Sequence, residues 1–450
     1  MNNWQQFIDI FKRIKQRNFK GNTGLVIKNS FYNSASTIIE KVGAMIFVII
    51  LARILLPELF GLYSLALSTI LLFISISGLG VGETLIRFVS KALGNNKKSK
   101  AKSYVIYLSK LKVLLLFIVI ISLAISSKFI SQIYSDKPIF LALIAGLLYI
   151  FLAGLVGFVQ LLFNATNNFK MLFIRQIIFQ TLRLIIVPIL VLYSLKYFNT
   201  EIIVPIVILS LSFVWFLTLC FLLIFANKIP FLRTKADKLV KKERKKINKF
   251  VFGLSILSLS GLFFGYIDIL MLGGFVAGAF LGYYQSAFTL VSSFASLIFF
   301  SGVLLPIFSR IKGKRLENGF KKSLKITFLF SLIMFLSVFI FAPTIIKVIY
   351  GSAYLDSINL LRILSLLIIS LPLIFIYTSY FVARGKIKAI TKLLVVSILI
   401  NIFLNCTFLL WLIDYGPLFA VIGVCIATII SKYFYLFGLI FSRKKLIKNE

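Results

Sequence analysis

Between Lys228 and Lys249 the chain reads KIPFLRTKADKLVKKERKKINK, ten Lys and Arg against two acids, with a long and overwhelmingly apolar stretch of similar length on either side. Alone, such a basic block suggests a nucleic-acid-binding tail. Between two apolar halves it reads instead as a hinge, and the choice depends on where the remaining charge sits.

The 450 residues are 60% hydrophobic and only 14% charged, with a mean hydropathy of +1.02. A soluble core cannot absorb that much apolar side chain without exposing large patches, whereas a bilayer is an apolar solvent for it. Windows of about 20 apolar residues predict six spans before the basic block, near 29–52, 59–84, 111–127, 138–162, 171–194 and 202–226. Six more follow it, near 250–273, 277–308, 325–345, 357–381, 390–413 and 417–441. The expected organisation is therefore a basic segment over 1–28, a lobe over 29–226, a connector over 227–249, a second lobe over 250–442 and a basic tail over 443–450. Within 1–20, Trp4, Phe7, Ile8, Phe11 and Ile14 recur at helical spacing opposite Lys and Arg, the pattern of an amphipathic helix on a membrane surface. The first span reads as retained rather than as a cleaved signal.

Charge placement orients these spans. The net charge is +37, and 41 of the fifty Lys and Arg fall in alternate loops and their flanking span ends, starting from the N-terminus. The opposite loops hold only Arg53, Lys128, Lys137, Lys196, Lys347 and Arg362. Cations are retained on the cytoplasmic side, so both termini are expected there and the nucleic-acid reading falls. The chain contains no His, and Cys220, Cys406 and Cys425 each stand alone in apolar runs. No zinc site, thiol motif or disulfide framework is available, and the short opposite loops leave no room for an external catalytic domain.

The halves repeat. Gly61, Tyr63 and Ala66 match Gly282, Tyr284 and Ala287 at a constant offset of 221. Ser77-Gly78 matches Ser301-Gly302, Arg87 matches Arg310, and Phe163, Ala165 and Lys170 match Phe381, Ala383 and Lys388 at nearly the same offset. Six spans per half make the repeat parallel, about an axis along the membrane normal. Two such lobes enclose a central cavity.

At ARILLPELFGLYSLA (Ala52 to Ala66), GLGVGETLIRFVS (Gly78 to Ser90) and DILMLGGFVAGAFLGYYQSA (Asp268 to Ala287) the chain resembles the polysaccharide-export flippases of the multidrug/oligosaccharidyl-lipid/polysaccharide exporter superfamily. The resemblance implies an all-α integral membrane transporter, a monomer, with twelve helices in two six-helix lobes. It would carry a polyprenyl-diphosphate-linked oligosaccharide from the inner to the outer leaflet of the cell membrane by alternating access, with spans 1, 2, 7 and 8 walling the cavity. Glycan polymerases or glycosyltransferases would be its partners alongside membrane lipids. No cofactor is implied beyond a coupling ion, proton or sodium. A cation-coupled exporter of drugs, from another branch of the superfamily, is the alternative.

Ionisable groups within spans are costly and face a cavity or a partner. Span 1 aligns Asn33, Thr37 and Glu40 on one stripe, with Lys41 rotated by about 100°; together these point to a substrate-lining face. Span 5 carries Gln176, Gln180 and Arg183 on one face. Arg183 either holds span 5 to its neighbours or meets a diphosphate in a bidentate way. Span 7 aligns Ser258, Gly261, Gly265 and Asp268. Asp268 could accept sugar hydroxyls, bind a coupling cation or, the preferred expectation, pair with Arg53 as an outer gate. Glu83 and Arg87 have the spacing of a surface ion pair, or Arg87 and Arg310 receive the diphosphate at the cytoplasmic mouth, Arg310 following the kink expected at Pro306. Lys432, Asn401 and Asn405 read as packing or snorkelling groups, and Tyr283 and Tyr284 as interfacial residues. The connector is expected to be slack enough for one lobe to rock against the other, with Leu239, Val240 and Ile247 on the leaflet.

Overall fold

The computed structural model describes residues 21–78, 80–134, 137–298 and 313–448, which are all-helical with no strand among them. The amphipathic segment expected over 1–20, Arg310, the Pro306 kink and the side chain of Ser258 lie outside the described residues. The first half comprises α1 (Gly21–Ser77), α2 (Val81–Gly94), α3 (Lys98–Ile133), α4 (Phe140–Ala165), α5 (Phe169–Tyr197) and α6 (Thr200–Ala226). The second comprises α7 (Lys241–Gly273), α8 (Gly278–Ile298), α9 (Gly313–Ile349), α10 (Ser357–Leu364), α11 (Leu367–Ala383), α12 (Ile387–Leu412) and α13 (Pro417–Lys448).

Spans 1 and 2 are one long element. At Leu56 the backbone turns to φ 58°, with Pro57 directly after it, so α1 folds sharply there. Proline lacks the N–H that would continue the ladder and its ring clashes with the preceding turn. A second break separates α1 from α2, where Gly80 takes φ 61°, a left-handed conformation that glycine adopts without steric cost. Among the described residues nine helices are long and apolar enough to cross a membrane. One of them, Lys28–Ser77, carries both expected spans 1 and 2, and another, Ser357–Ala383, joins α10 and α11.

The repeat is visible in the packing. The most apolar windows of α3 and α9 are both 22% buried, those of α5 and α12 both 28%. Those of α4 and α10–α11 are 67% and 61%, and those of α6 and α13 are 50% and 44%. Helices at equivalent positions are thus equally central or equally peripheral. The peripheral ones expose rows of large apolar side chains, Leu114, Phe117, Ile118 and Ile121 on α3 and Leu329, Phe330, Ile333 and Ile340 on α9, faces that suit lipid rather than water.

Three apolar clusters hold the bundle. One runs through both halves, joining Phe47, Leu55 and Tyr63 to Leu272, Tyr284, Tyr354 and Leu361. The other two are separate: one contains Val81, Leu108, Phe163 and Leu222 of the first half, the other Phe320, Ile376, Tyr380 and Leu439 of the second. Glu317 clips the latter by accepting from Tyr380 Oη at 2.5 Å and from Arg443, with Arg384 at 3.6 Å. Among the described residues the lobes therefore share one apolar cluster at the end with few cations, while at the basic end each half has its own, the first turns of α7 packing with that of the first half.

The connector is not slack. Phe231 is 3% exposed, and Leu239 and Ile247 are buried with the first-half cluster. Lys102 Nζ donates to the Thr234 carbonyl at 2.7 Å, Ser103 Oγ to that of Asp237 at 2.7 Å and Tyr107 Oη to Asn248 Oδ1 at 2.9 Å, while Lys100 and Glu243 pair at 2.5 Å. The leaflet placement expected for Leu239 and Ile247 is overturned because their side chains find a protein cleft first; Val240 alone is exposed.

Lys112, counted from sequence with the loop cations, is buried. Its Nζ donates to the carbonyl and to the hydroxyl of Ser77, both at 2.9 Å, satisfying the last turn of α1 where the helix breaks. Lys112→Met leaves that carbonyl without a partner and is expected to cost on the order of 1–3 kcal/mol, read as a lower melting temperature of the purified protein in detergent. An unchanged melt would show that Ser77 is held by something else.

Candidate functional site

The joined end is a crossing of two repeat mates. A Cβ on Gly61 would collide with the Gly278 carbonyl oxygen, and one on Gly282 with the Pro57 carbonyl oxygen. Only glycine permits this backbone-to-backbone approach of α1 and α8. Beside it, Glu58 Oε2 accepts from the Ala279 backbone N–H at 2.6 Å. That N–H belongs to the first turn of α8, where four donors have no partner within the helix and carry partial positive charge. Arg53 does the complementary thing, donating to the carbonyls of Ile349, at 2.6 Å, and Val348 at the end of α9. Tyr354 Oη reaches the Ala52 carbonyl at 2.8 Å and Lys137 Nζ that of Gly273 at 2.7 Å.

The expected Arg53–Asp268 pair is not formed. Arg53 is taken up by the carbonyl end of α9, while Asp268 is 6% exposed inside the second lobe. Its Oδ1 accepts from Asn405 Nδ2 at 2.8 Å, and its Oδ2 from Thr428 Oγ1 at 2.8 Å and Tyr284 Oη at 3.0 Å. Tyr284 is 2% exposed and so is not interfacial, and Asn401 and Asn405 are fully buried around the carboxylate rather than packing generically. Lys432, one turn beyond Thr428 on α13, lies within electrostatic reach of Asp268. Two features of this cluster are incomplete. Thr428 has one hydroxyl proton but faces both Asp268 and the Val424 carbonyl, and Asn405 Oδ1 and Asn401 Nδ2 have no partner. A cation coordinated by Asp268, the Thr428 hydroxyl and a rotated Asn405 amide would free the Thr428 proton for the Val424 carbonyl and give Asn405 Oδ1 a partner.

The first lobe holds a cluster of opposite sign. Arg183 Nη2 donates to Gln180 Oε1 at 2.6 Å, and its guanidinium lies 4.4 Å from the Phe47 ring. Gln180 in turn donates to the Glu40 carbonyl at 3.1 Å. Gly43 makes room, since a Cβ there would stand 2.7 Å from Gln180 Cδ. Arg175, 6% exposed, donates to Gln176 Oε1 at 2.5 Å and stacks 5.1 Å from Phe179 and 5.3 Å from Trp215. The Nε of both arginines is buried without a hydrogen-bond partner, which for so polar a group is unusual. Glu40 is the carboxylate near enough to influence both. The repeat makes the contrast explicit: at the offset of 221 Phe47 is the mate of Asp268 and Tyr63 that of Tyr284. The lobes use one framework for a cationic and an anionic polar core.

Arg175 lies at a span end and is one of the 41 cations that the charge count assigns to loops and their flanks. Its spacing of four from Phe179 and eight from Arg183 was the available signal. Of the span 1 stripe, Asn33, Glu40 and Lys41 are exposed, and Thr37 donates to the Asn33 carbonyl at 3.0 Å. Arg87 is exposed and lies 4.4 Å over the Phe250 ring instead of pairing with Glu83. The structure thus places Glu40 within electrostatic reach of Arg183, joined through Gln180 to its backbone, and leaves Arg87, Arg53 and Asp268 in three separate places.

Several solved structures share this fold. An inward-facing multidrug resistance MATE family transporter of the MOP superfamily is 14% identical with a TM-score of 0.70, covering 93% of this chain and 95% of that one. The lipid II flippase MurJ in an inward closed conformation is 17% identical with a TM-score of 0.70, covering 91% and 86%. An uncharacterized membrane protein of Methanocaldococcus jannaschii is 23% identical over 414 residues, 87% of this chain and 78% of its own length. Residues 26–312 match the model of the polysaccharide biosynthesis protein family. With most of the chain matched to that model and its fold that of MOP superfamily transporters, the protein belongs to the polysaccharide biosynthesis protein family.

Proposed function

We propose that the protein carries a lipid-linked oligosaccharide with a diphosphate head from the cytoplasmic to the outer leaflet by alternating access, acting as a transporter and not as an enzyme. The observation that carries the reading is the pair of arginines Arg175 and Arg183, whose buried Nε donors are unsatisfied. A diphosphate offers the acceptors such donors lack, and guanidinium matches phosphate geometry. With the basic end on the cytoplasmic side, as lysine and arginine retention favours, the Gly61–Gly282 crossing is the outward seal.

Opening outward requires separation of Glu58 from the α8 N-terminus, Arg53 from the α9 carbonyls and Tyr354 from Ala52. Hydrogen bonds of this kind contribute roughly 0.5–3 kcal/mol each, an amount within reach of substrate binding that favours the other state. The Asp268 cluster supplies the coupling site. A monovalent cation, proton or sodium, bound by Asp268 alters how it is held by Tyr284, Asn405 and Thr428, and with them how α7, α8, α12 and α13 pack. The drug-exporter alternative needs Glu40 or Asp268 to attract cationic substrates, whereas Asp268 is engaged by three donors of its own lobe and Glu40 stands near two arginines that repel a cation.

In cells, Arg175→Gln and Arg183→Gln are each expected to lower glycan export about tenfold or more, with lipid-linked precursor accumulating on the cytoplasmic side. Normal export in both, at normal protein level, would exclude them from the substrate path. For the seal, Gly282→Val is expected to stop export and to make a cysteine introduced at Leu65, which packs on Gly273 across the seam, react with membrane-impermeant maleimide from outside. Protection equal to that of the parent would show that the crossing is not the outer gate. If Asp268 binds the coupling ion, the purified protein melts at a higher temperature in sodium than in choline chloride, or shows a proton-dependent melt at constant sodium, and Asp268→Asn abolishes the difference. The same dependence in Asp268→Asn would place the ion elsewhere.

A further inference from the structure

Where the connector lies against the first lobe it leaves a groove of about 500 Å³ between α3, residues 236–239 and the first turns of α7. Its rim carries three exposed cations, one from each element: Lys110, Lys238 and Arg244. A single carboxylate, Asp237, stands among them, and its backbone carbonyl is already held by Ser103. The floor is apolar, made by Ile106, Leu111 and Leu114. Tyr107 closes one wall, with the Arg244 guanidinium 6.0 Å from its ring.

The groove has a direction. Lys110 and Leu114 are one turn apart on the same face of α3, and beyond Leu114 that helix exposes Phe117, Ile118, Ile121 and Ile125. Lys110 is the last outward-facing cation before this apolar run, since Lys112 turns inward to Ser77. The cationic rim therefore sits at headgroup level and the floor continues into the surface that lipid tails cover. A soluble anion would use the rim and leave the floor wet; an RNA would gain nothing from a floor that opens into hydrocarbon.

We propose that this groove binds one anionic phospholipid, its phosphate among Lys110, Lys238 and Arg244 and an acyl chain along Leu114 and Phe117. The lipid then bridges the first lobe, the connector and the start of α7, and fastens the connector where Ser103, Lys102 and Tyr107 already hold it. The site shares no residue with the arginine pair or the Asp268 cluster and is independent of what the transporter carries.

The test uses the purified full chain in detergent with added phosphatidylglycerol, phosphatidylcholine or inorganic phosphate, followed by thermal melting and by native mass spectrometry of retained lipid. Phosphatidylglycerol alone is expected to raise the melting temperature and remain bound. In the triple variant Lys110→Gln, Lys238→Gln, Arg244→Gln that effect is lost, since each cation removed weakens anionic-lipid binding about fivefold. The control triple variant Lys235→Gln, Lys241→Gln, Lys245→Gln removes equal charge from the same surface outside the groove and keeps the effect. Equal loss in the control would mean diffuse electrostatic attraction, and stabilisation by inorganic phosphate would mean a free-anion site; either overturns the proposal. If the first triple variant does not fold, photoactivatable phosphatidylglycerol on the unmodified protein decides. Adducts within 106–118 or 236–244 support the site, and their absence there rejects it.

Discussion

Two lobes of apolar helices have little reason to associate in a bilayer, because a lipid tail solvates a leucine as well as another leucine does. What joins them here is contact that lipid cannot offer. At Gly61, Gly278 and Gly282 the absence of side chains lets backbones touch across the lobe boundary, and that proximity brings Glu58 to the N-terminus of α8 and Arg53 to the carbonyl end of α9. Each charge is matched to a helix end instead of to another charge. Such contacts act at short range and lose their strength once the helices part, which suits a seal that must open.

The remaining buried polar groups divide between the lobes. The first keeps arginines on aromatic rings, with amides as neighbours and donors left over; the second keeps one aspartate wrapped by hydroxyl and amide donors. The repeat relates the two frameworks, and the exchange of Phe47 for Asp268 at equivalent positions marks where the copies diverged in chemistry while keeping their helices. A cationic core suited to phosphate and an anionic core suited to a small cation are the features on which the proposed transport of a lipid diphosphate rests. Lys112 belongs to neither, for it closes the broken end of α1.

The connector takes part in the architecture more than its composition suggests. Its apolar residues anchor it to one lobe, so motion between lobes must be absorbed elsewhere, and α7 is the element that begins against the first lobe and ends at Asp268 in the second. Its ten cations fit a segment kept on one side of the membrane by its charge, and two of them, Lys238 and Arg244, converge with Lys110 of α3 on a single groove.

Much of this was legible in the chain before folding. Hydropathy determines that the protein spans a membrane, and alternating charge predicts which loops share a side, because a cation is costly to move across lipid wherever it starts. The offset of 221 pairs Gly61 with Gly282, and the kink follows from proline chemistry at Pro57. Partner choice was not legible. Arg175 and Lys112 sit at span ends exactly as snorkelling cations do, and only the rotation of α5 and α3 against their neighbours turns them inward. Asp268 and Arg53 are both near the same end of the bundle, yet helix crossing gives Asp268 to Asn405 and Thr428, far along the chain, and Arg53 to α9. Spacing along a helix determines which residues share a face; what that face meets is decided by how the helices pack.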